Sequence, residues 1–315
     1  MIANTNSNEV QFMSGDAVLA GTFLDPGDAQ ASALILTGSG KLDRNSNGRF
    51  RLEVNRSIAE ALAAQGVASL RYDKRGAGRS SGDFFEAGMS ENYADAAAAV
   101  EWLTSRAAGR PIIGIGHSEG ALHVAHLAAD HKVTAAVLIA CPARRGEEIL
   151  TWQAAQIMPT LPRAAKFIIR LIHLDPLKSQ QKAFARIRSS SANSLRIQGK
   201  KQNARWLREF MDYDPTQSFK DINCPVLIVV PEHDMQVPPD DAETICALVP
   251  EPCKKEIMPG LSHILRNDPG LKGPTAYRKA LKEPVASIVP RTISGWIADQ
   301  LSTRTRKNEE ESTRR

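Results

Sequence analysis

The sequence lacks several features that would place the protein in other classes. It has no uninterrupted apolar run near 18 residues, the length that a membrane-spanning helix needs. The first ten residues contain neither a positively charged segment nor an apolar core, so we expect no export signal. Aromatic residues make up only 5% of the chain, and no nucleic-acid-binding motif accompanies the net charge of +5. We therefore expect no membrane span and no nucleic-acid partner.

Cysteine is also scarce, and its spacing is uninformative for metals. The four cysteines are Cys141, Cys224, Cys246 and Cys253. No pair has the C-x-x-C spacing of zinc or redox sites, so we expect no metal. All four lie at or near the ends of predicted strands or helices, which favours buried free thiols over disulfides. Free thiols are typical of a reducing compartment, so the sequence predicts a cytoplasmic location.

What the sequence does contain is a strand-helix rhythm along most of its 315 residues. Apolar runs are continuous rather than alternating, which is typical of parallel strands buried on both faces. The predicted strands follow an opening hairpin at 10–13 and 17–23, and cover 33–36, 67–70, 112–115, 133–140, 225–230 and 254–258. The predicted helices cover 49–65, 90–108, 240–248 and 289–301, and another begins after Ser118. Ser90 is the predicted N-terminal cap of the helix at 90–108. This alternation predicts an α/β fold with helices on both faces of a mostly parallel sheet.

The rhythm breaks in one segment, residues 142–214. This segment is rich in helix formers and carries 14 Lys and Arg against 6 Asp and Glu. We interpret it as an inserted helical lid between two parts of one core, 1–141 and 215–301. Its cations form either a solvated face or a surface toward an anionic substrate or a membrane. Residues 302–315 are too polar to pack and are expected to be disordered.

The pentapeptide Gly116–Gly120 has the pattern G-x-S-x-G at the end of a predicted strand and the start of a predicted helix. In that context the pattern indicates a nucleophile elbow, a sharp turn that projects a serine hydroxyl outward. Glycine suits the flanking positions because the chain folds back too tightly for a Cβ. The helix directs its free N–H groups toward the serine, where an oxyanion would form. Ser118 is therefore the candidate nucleophile.

A second match to the same pattern, centred on Ser80, occurs at 78–82. It also follows an apolar run, but loop residues 74–77 intervene and no helix start follows it. We interpret Ser80 as a turn residue.

An acyl-transfer serine needs a histidine as base and an acid that orients the base. In this topology the order along the chain is serine, acid, histidine, each just beyond a strand. Asp234 and His263 meet that requirement, and Glu232 in the same loop is an alternative acid. Five other polar side chains near these motifs are interpreted as packing or turn-stabilising residues: His117, His123, His126, Asp73 and Arg75.

Together these motifs resemble the α/β-hydrolase superfamily, and within it the serine-aminopeptidase-like or EstD-like carboxylesterase branch. The matching segments cover nearly the whole chain outside 142–214: 36–40 with 43–44, 71–76, 116–120, 232–234 with 237–238, and 261–263. The family's usual His-Gly before the oxyanion turn is Thr37-Gly38 here. The resemblance implies that the backbone N–H groups of Ser39 and Glu119 form the oxyanion hole.

The combined prediction is a serine hydrolase that cleaves a carboxylic ester through an acyl-enzyme. No cofactor is expected, and the expected partner is a small acyl substrate. An acyl-CoA thioesterase or a serine aminopeptidase is an alternative, because the triad accepts alkoxide, thiolate or amine leaving groups. A protein of another class, a non-catalytic binder of small molecules, could use the same fold.

Overall fold

A computed structural model describes residues 6–171, 175–268 and 274–313, which form an eight-stranded sheet beside a small two-stranded one. The strands are β1 (Asn6–Ser14), β2 (Ala17–Asp25), β3 (Ala31–Leu36), β4 (Val67–Tyr72), β5 (Ile112–His117), β6 (Ala135–Ile139), β7 (Ser194–Ile197), β8 (Lys200–Asn203), β9 (Val226–Pro231) and β10 (Cys253–Met258). The order in the main sheet is β1-β2-β4-β3-β5-β6-β9-β10. Pairing is antiparallel from β1 to β2 and from β2 to β4, and parallel from β4 onward. The predicted mostly parallel sheet is confirmed.

Helices cover both faces of this sheet. In order along the described chain, the helices are α1 (Val54–Ala63), α2 (Met89–Ala107), α3 (Glu119–Ala129), α4 (Gly146–Ile157), α5 (Arg163–Leu171), α6 (Pro176–Arg188), α7 (Ala204–Asp212), α8 (Thr216–Lys220), α9 (Asp241–Leu248), α10 (Pro274–Ala280) and α11 (Ile288–Thr313). Side chains of α1 and α11 pack on one face, and those of α2, α3, α8 and α9 pack on the other. The strands between them are mostly apolar, because neither face meets water. Every residue of β3, β4, β5, β6 and β9 is buried.

The segment between β6 and β9 has a small core of its own. Helices α4 to α7 and a short 3₁₀ turn, Met158–Thr160, belong to it, and Phe184, Ile187, Ala204 and Met211 form its core. It also contains the β7–β8 hairpin, which the sequence reading missed. Gln198 and Gly199 both have positive φ at the hairpin's two-residue turn, a conformation that Gly favours. We call residues 142–214 the insert.

Several of the insert's cations are engaged in ion pairs. Arg188 lies 2.6 Å from Glu147 and 3.0 Å from Asp212. Arg205 pairs with Glu91 and Glu209, and Arg144 pairs with Asp241 of α9. These pairs compensate part of the positive charge, and those with Glu91 and Asp241 attach the insert to α2 and α9.

The cysteine prediction is partly wrong, because Cys246 and Cys253 form a disulfide. Cys246 lies in the last turn of α9 and Cys253 begins β10. The short connection between these elements brings their Cα atoms to 5.5 Å, within bridging range. Cys141 and Cys224 are buried free thiols, as predicted. The predicted cytoplasmic location depended on all four cysteines being free thiols, so the disulfide removes that support.

Two further sequence expectations differ from the structure. Helix α11 continues to Thr313, through most of the tail that was expected to be disordered. Extending an existing helix by one residue costs far less than nucleating a new one, so a tail rich in Arg, Lys and Glu can propagate α11. Helix α2 is capped by Gly88, whose N–H donates to the Glu91 carboxylate, rather than by Ser90.

No helix among the described ranges is long and apolar enough to cross a bilayer.

Candidate active site

Ser118 lies at the sharp turn between β5 and α3. Its backbone is in the left-handed region, with φ 57° and ψ −120°, a strained conformation for a residue with a Cβ. The turn is held because the Ser118 N–H donates to the Ile139 carbonyl over 2.9 Å, which continues the pairing of β5 with β6. This is the geometry of a nucleophile elbow.

The glycines of the pentapeptide are required by close backbone contacts. A Cβ on Gly116 would lie 2.2 Å from the Gly120 carbonyl oxygen. A Cβ on Gly120 would lie 2.6 Å from the Thr37 carbonyl oxygen, in the turn that follows β3. Real Cβ atoms do not approach oxygen so closely. A larger residue at position 116 would therefore open the elbow itself, and one at position 120 would push the elbow away from the turn after β3.

Asp234 and His263 are brought together from the loops that follow β9 and β10. Nδ1 of His263 lies 2.7 Å from Oδ2 of Asp234, and both side chains are almost fully buried. The other carboxylate oxygen of Asp234 accepts the N–H groups of Gln236 and Val237, at 2.7 and 3.0 Å. Asp234 is therefore held by its own loop and fixes the orientation of the imidazole.

The alternative acid, Glu232, lies elsewhere. Its carboxylate accepts the Gly260 N–H over 2.7 Å, and half of its side chain is exposed. Its imidazole neighbour is His233, at 3.8 Å, rather than His263.

His117 connects the elbow to the loop that carries His263. Its ring lies 4.8 Å from the His263 ring, and its Nε2 lies 2.9 Å from the His263 carbonyl oxygen. A carbonyl oxygen only accepts, so His117 Nε2 must carry the proton. His117, adjacent to Ser118 in sequence, thus holds the backbone of His263. The sequence analysis had interpreted this side chain as a packing residue. Among the described residues, none is hydrogen-bonded to Ser118 Oγ.

Burial lowers the pKa of His117 to about 3, with a smaller contribution from the nearby His263. Since the unfolded chain takes up this proton near the ordinary value of 6.5 and the folded protein does not, stability should fall as pH falls below 6.5. We expect the slope to approach roughly 1.4 kcal/mol per pH unit. Denaturant unfolding between pH 7 and 5 measures it. H117Q should flatten the slope, and the surface variant H131N should retain it; equal slopes in all three proteins would contradict this account.

The predicted oxyanion-hole residues lie on either side of Ser118. Gly38 packs against the serine, since a Cβ added there would lie 3.3 Å from Ser118 Cβ. Ser39 follows in the same turn, and Glu119 begins α3. Neither the Ser39 N–H nor the Glu119 N–H donates to another described residue. Both N–H groups therefore remain able to bind a developing oxyanion.

The Glu119 side chain forms a buried cluster that the sequence did not predict. Its Oε1 accepts from Lys74 Nζ at 3.0 Å, Asn92 Nδ2 at 2.8 Å and His123 Nε2 at 3.2 Å. Burial alone would raise the pKa of Glu119, but Lys74 and His123 outweigh it and hold the pKa at about 2. The carboxylate is thus charged at neutral pH, directly behind the elbow.

The remaining motif residues stabilise turns. Asp73 accepts the backbone N–H groups of Arg44 and Arg79 and pairs with the Arg44 side chain. Arg75 pairs with the buried Asp95 at 2.7 Å. Ser80 Oγ donates to the Asp73 carbonyl and accepts the Ala20 N–H. The structure therefore places Ser80 in a turn, as the sequence indicated.

The family model for serine aminopeptidase, S33, matches residues 53–270, more than half of the chain. The chain belongs to this α/β-hydrolase family. A curated relative, Esterase EstD of Thermotoga maritima, is 26% identical over 247 residues. That match covers 78% of this chain but only 57% of EstD, so the chain spans less than two thirds of that relative.

Solved structures also resemble this S33 family member in fold. Est1E from Butyrivibrio proteoclasticus, solved with ferulic acid bound, has a TM-score of 0.65 and 19% identity, over 93% of this chain and 99% of its own. The Pyrococcus furiosus esterase Pf2001 has a TM-score of 0.61 and 15% identity, over 96% and 92%. Proline iminopeptidase of Mycobacterium smegmatis has a TM-score of 0.61 and 16% identity, over 94% and 98%. At these identities the likeness establishes the fold alone.

Among the described residues, no group of three or more His, Cys, Asp and Glu side chains is arranged to hold a metal ion.

Proposed function

We propose that the protein is a serine hydrolase that cleaves carboxylic esters through an acyl-enzyme. The observation that carries the proposal is the Asp234 to His263 hydrogen bond, 2.7 Å long and buried, at the sheet edge that also carries the strained Ser118. A nucleophile, a base and an orienting acid at the carboxyl ends of β5, β10 and β9 are the parts that acyl transfer needs.

The reaction would proceed in two halves. Ser118 Oγ attacks the ester carbonyl while His263 Nε2 takes its proton, and the charge on the carbonyl oxygen is stabilised by the N–H groups of Ser39 and Glu119. The tetrahedral intermediate collapses as imidazolium donates its proton to the departing alkoxide. Water then attacks the acyl-enzyme, with His263 again as base, and releases the carboxylic acid and Ser118. Asp234 stabilises the imidazolium throughout.

The insert is proposed to act as a lid over this site. Gln153 of α4 donates to the Gln236 carbonyl over 2.9 Å, and Gln236 donates its own N–H to Asp234. Helix α4 therefore lies against the loop that carries the catalytic acid. From there the insert can shape the acyl pocket and exclude water. We assign 1–141 and 215–301 to the catalytic domain.

A second candidate is a serine aminopeptidase, which the family description favours. A panel of p-nitrophenyl esters, acyl-CoAs and aminoacyl-anilides separates these activities. We expect short p-nitrophenyl esters to give the highest kcat/KM. A higher kcat/KM on an aminoacyl-anilide would establish the peptidase, and a higher value on an acyl-CoA would establish a thioesterase.

A further inference from the structure

Lys74 connects the two chain segments that supply the proposed oxyanion donors. Its ammonium group donates to the Gly38 carbonyl oxygen at 3.3 Å and to Glu119 Oε1 at 3.0 Å. Gly38 precedes one donor, Ser39, and Glu119 is itself the other. Lys74 is separated from them by 36 and 45 residues in sequence, so only the fold brings these groups together.

The contact with Gly38 has a direct geometric consequence. The Gly38 carbonyl and the Ser39 N–H belong to the same planar trans peptide, in which C=O and N–H point in opposite directions. When Lys74 holds the carbonyl on one side, the Ser39 N–H is directed to the other. The Gly38 Cα is at the same time packed against Ser118, which leaves this peptide little freedom to shift along the turn.

Stability alone does not account for the cluster. A buried ion pair contributes little net stability, because desolvation offsets the attraction between the charges. Side-chain exposure is 10% for Lys74 and 1% for Glu119. All three donors converge on Oε1, whereas Oε2 has no hydrogen-bond partner in the described part of the chain. An unpartnered buried acceptor destabilises the fold.

We propose that Lys74 is a positioning residue that orients the Gly38–Ser39 peptide, and with it the Ser39 N–H, toward the oxyanion of the acyl-transfer reaction. This inference rests on the proposed function. In this role Glu119 contributes to the oxyanion hole in two ways. Its N–H is one donor, and its carboxylate holds the Lys74 ammonium group that orients the other donor, the Ser39 N–H.

The test uses the full-length chain carrying K74M, E119Q, and both substitutions together. K74M alone leaves a buried carboxylate without its cation and can unfold the protein. The double variant removes both charges, so we expect it to fold with a Tm close to the wild-type value. Its kcat on a p-nitrophenyl ester should fall by about 10²-fold with KM nearly unchanged, because loss of one oxyanion donor costs roughly 10²- to 10³-fold.

A transition-state analogue gives a readout that a purely structural role would not change. A trifluoromethyl ketone forms a tetrahedral adduct with Ser118, so its Ki should rise by the same factor as kcat/KM falls. E119Q alone keeps Lys74 and should retain more of kcat than the double variant. The surface variant K132M, whose lysine lies 3.8 Å from Glu101, is the matched control and should retain wild-type kcat and Ki.

A folded double variant with wild-type kcat, or one whose Ki for the ketone is unchanged, overturns the positioning role and leaves the proposed function intact. A wild-type protein that hydrolyses no ester in the panel overturns the proposed function itself. The two failures are therefore distinguishable in one set of measurements.

Discussion

Replacing Ser118 by alanine is expected to lower kcat on short p-nitrophenyl esters by roughly 10⁴-fold or more, because the nucleophile and the acyl-enzyme are lost together. The folded state should persist, since the Ser118 N–H to Ile139 bond involves only backbone and alanine leaves no cavity. Steady-state hydrolysis and circular dichroism of the purified variant measure the two effects.

Ser80 provides the matched control for this substitution. It occupies the centre of the second G-x-S-x-G match, but its hydroxyl is bonded to Asp73 and Ala20 in a turn. S80A removes both hydrogen bonds, so it should lower stability by about 1 to 3 kcal/mol and leave kcat near the wild-type value. Loss of activity in S80A with retention in S118A would reverse the assignment.

The second large effect is expected for Asp234→Asn, with kcat lowered by about 10⁴-fold, as loss of the triad carboxylate is known to do in other serine hydrolases. Asparagine can keep its Oδ1 on the N–H groups of Gln236 and Val237, which now bind the carboxylate. Its amide would then donate to His263 Nδ1 and force the ring proton onto Nε2. In that tautomer the imidazole cannot accept the serine proton.

Glu232→Gln is the control, because Glu232 is the alternative acid in the same loop. Its side chain is half-exposed and bonded to Gly260, so we expect kcat within about twofold of wild type, as for most surface substitutions. Steady-state kinetics of both variants across pH 6 to 9 compares them. A larger loss in E232Q than in D234N would transfer the role of the acid to Glu232.

Local sequence pattern and the order of motifs along the chain predicted the parallel sheet and the candidate site residues. Continuous apolar runs predicted the parallel strands, and the candidate serine, acid and histidine were each predicted from their position after a strand. Parallel strands bring their carboxyl ends to one edge of the sheet, so residues far apart in sequence are predicted to meet there. Asp234 and His263 are hydrogen-bonded at that edge.

The parts that the sequence missed depend on contacts between distant segments. The disulfide required the distance between α9 and β10, which cysteine spacing does not give. The Lys74 to Glu119 pair joins a loop after β4 to the elbow helix, and nothing in either motif identifies the partner. The β7–β8 hairpin had a local signal, the glycine at position 199, but helix-forming residues on both sides favoured a helical reading.

The central claim is that Ser118 is an activated nucleophile, and covalent labelling tests it most directly. The wild-type protein is treated with a fluorophosphonate, digested, and analysed by mass spectrometry to locate the modified residue. We predict one label per chain, on the peptide that contains Ser118, and no label in S118A. An unlabelled Ser118 in folded wild-type protein would contradict the account and would favour a non-catalytic binding protein on this fold.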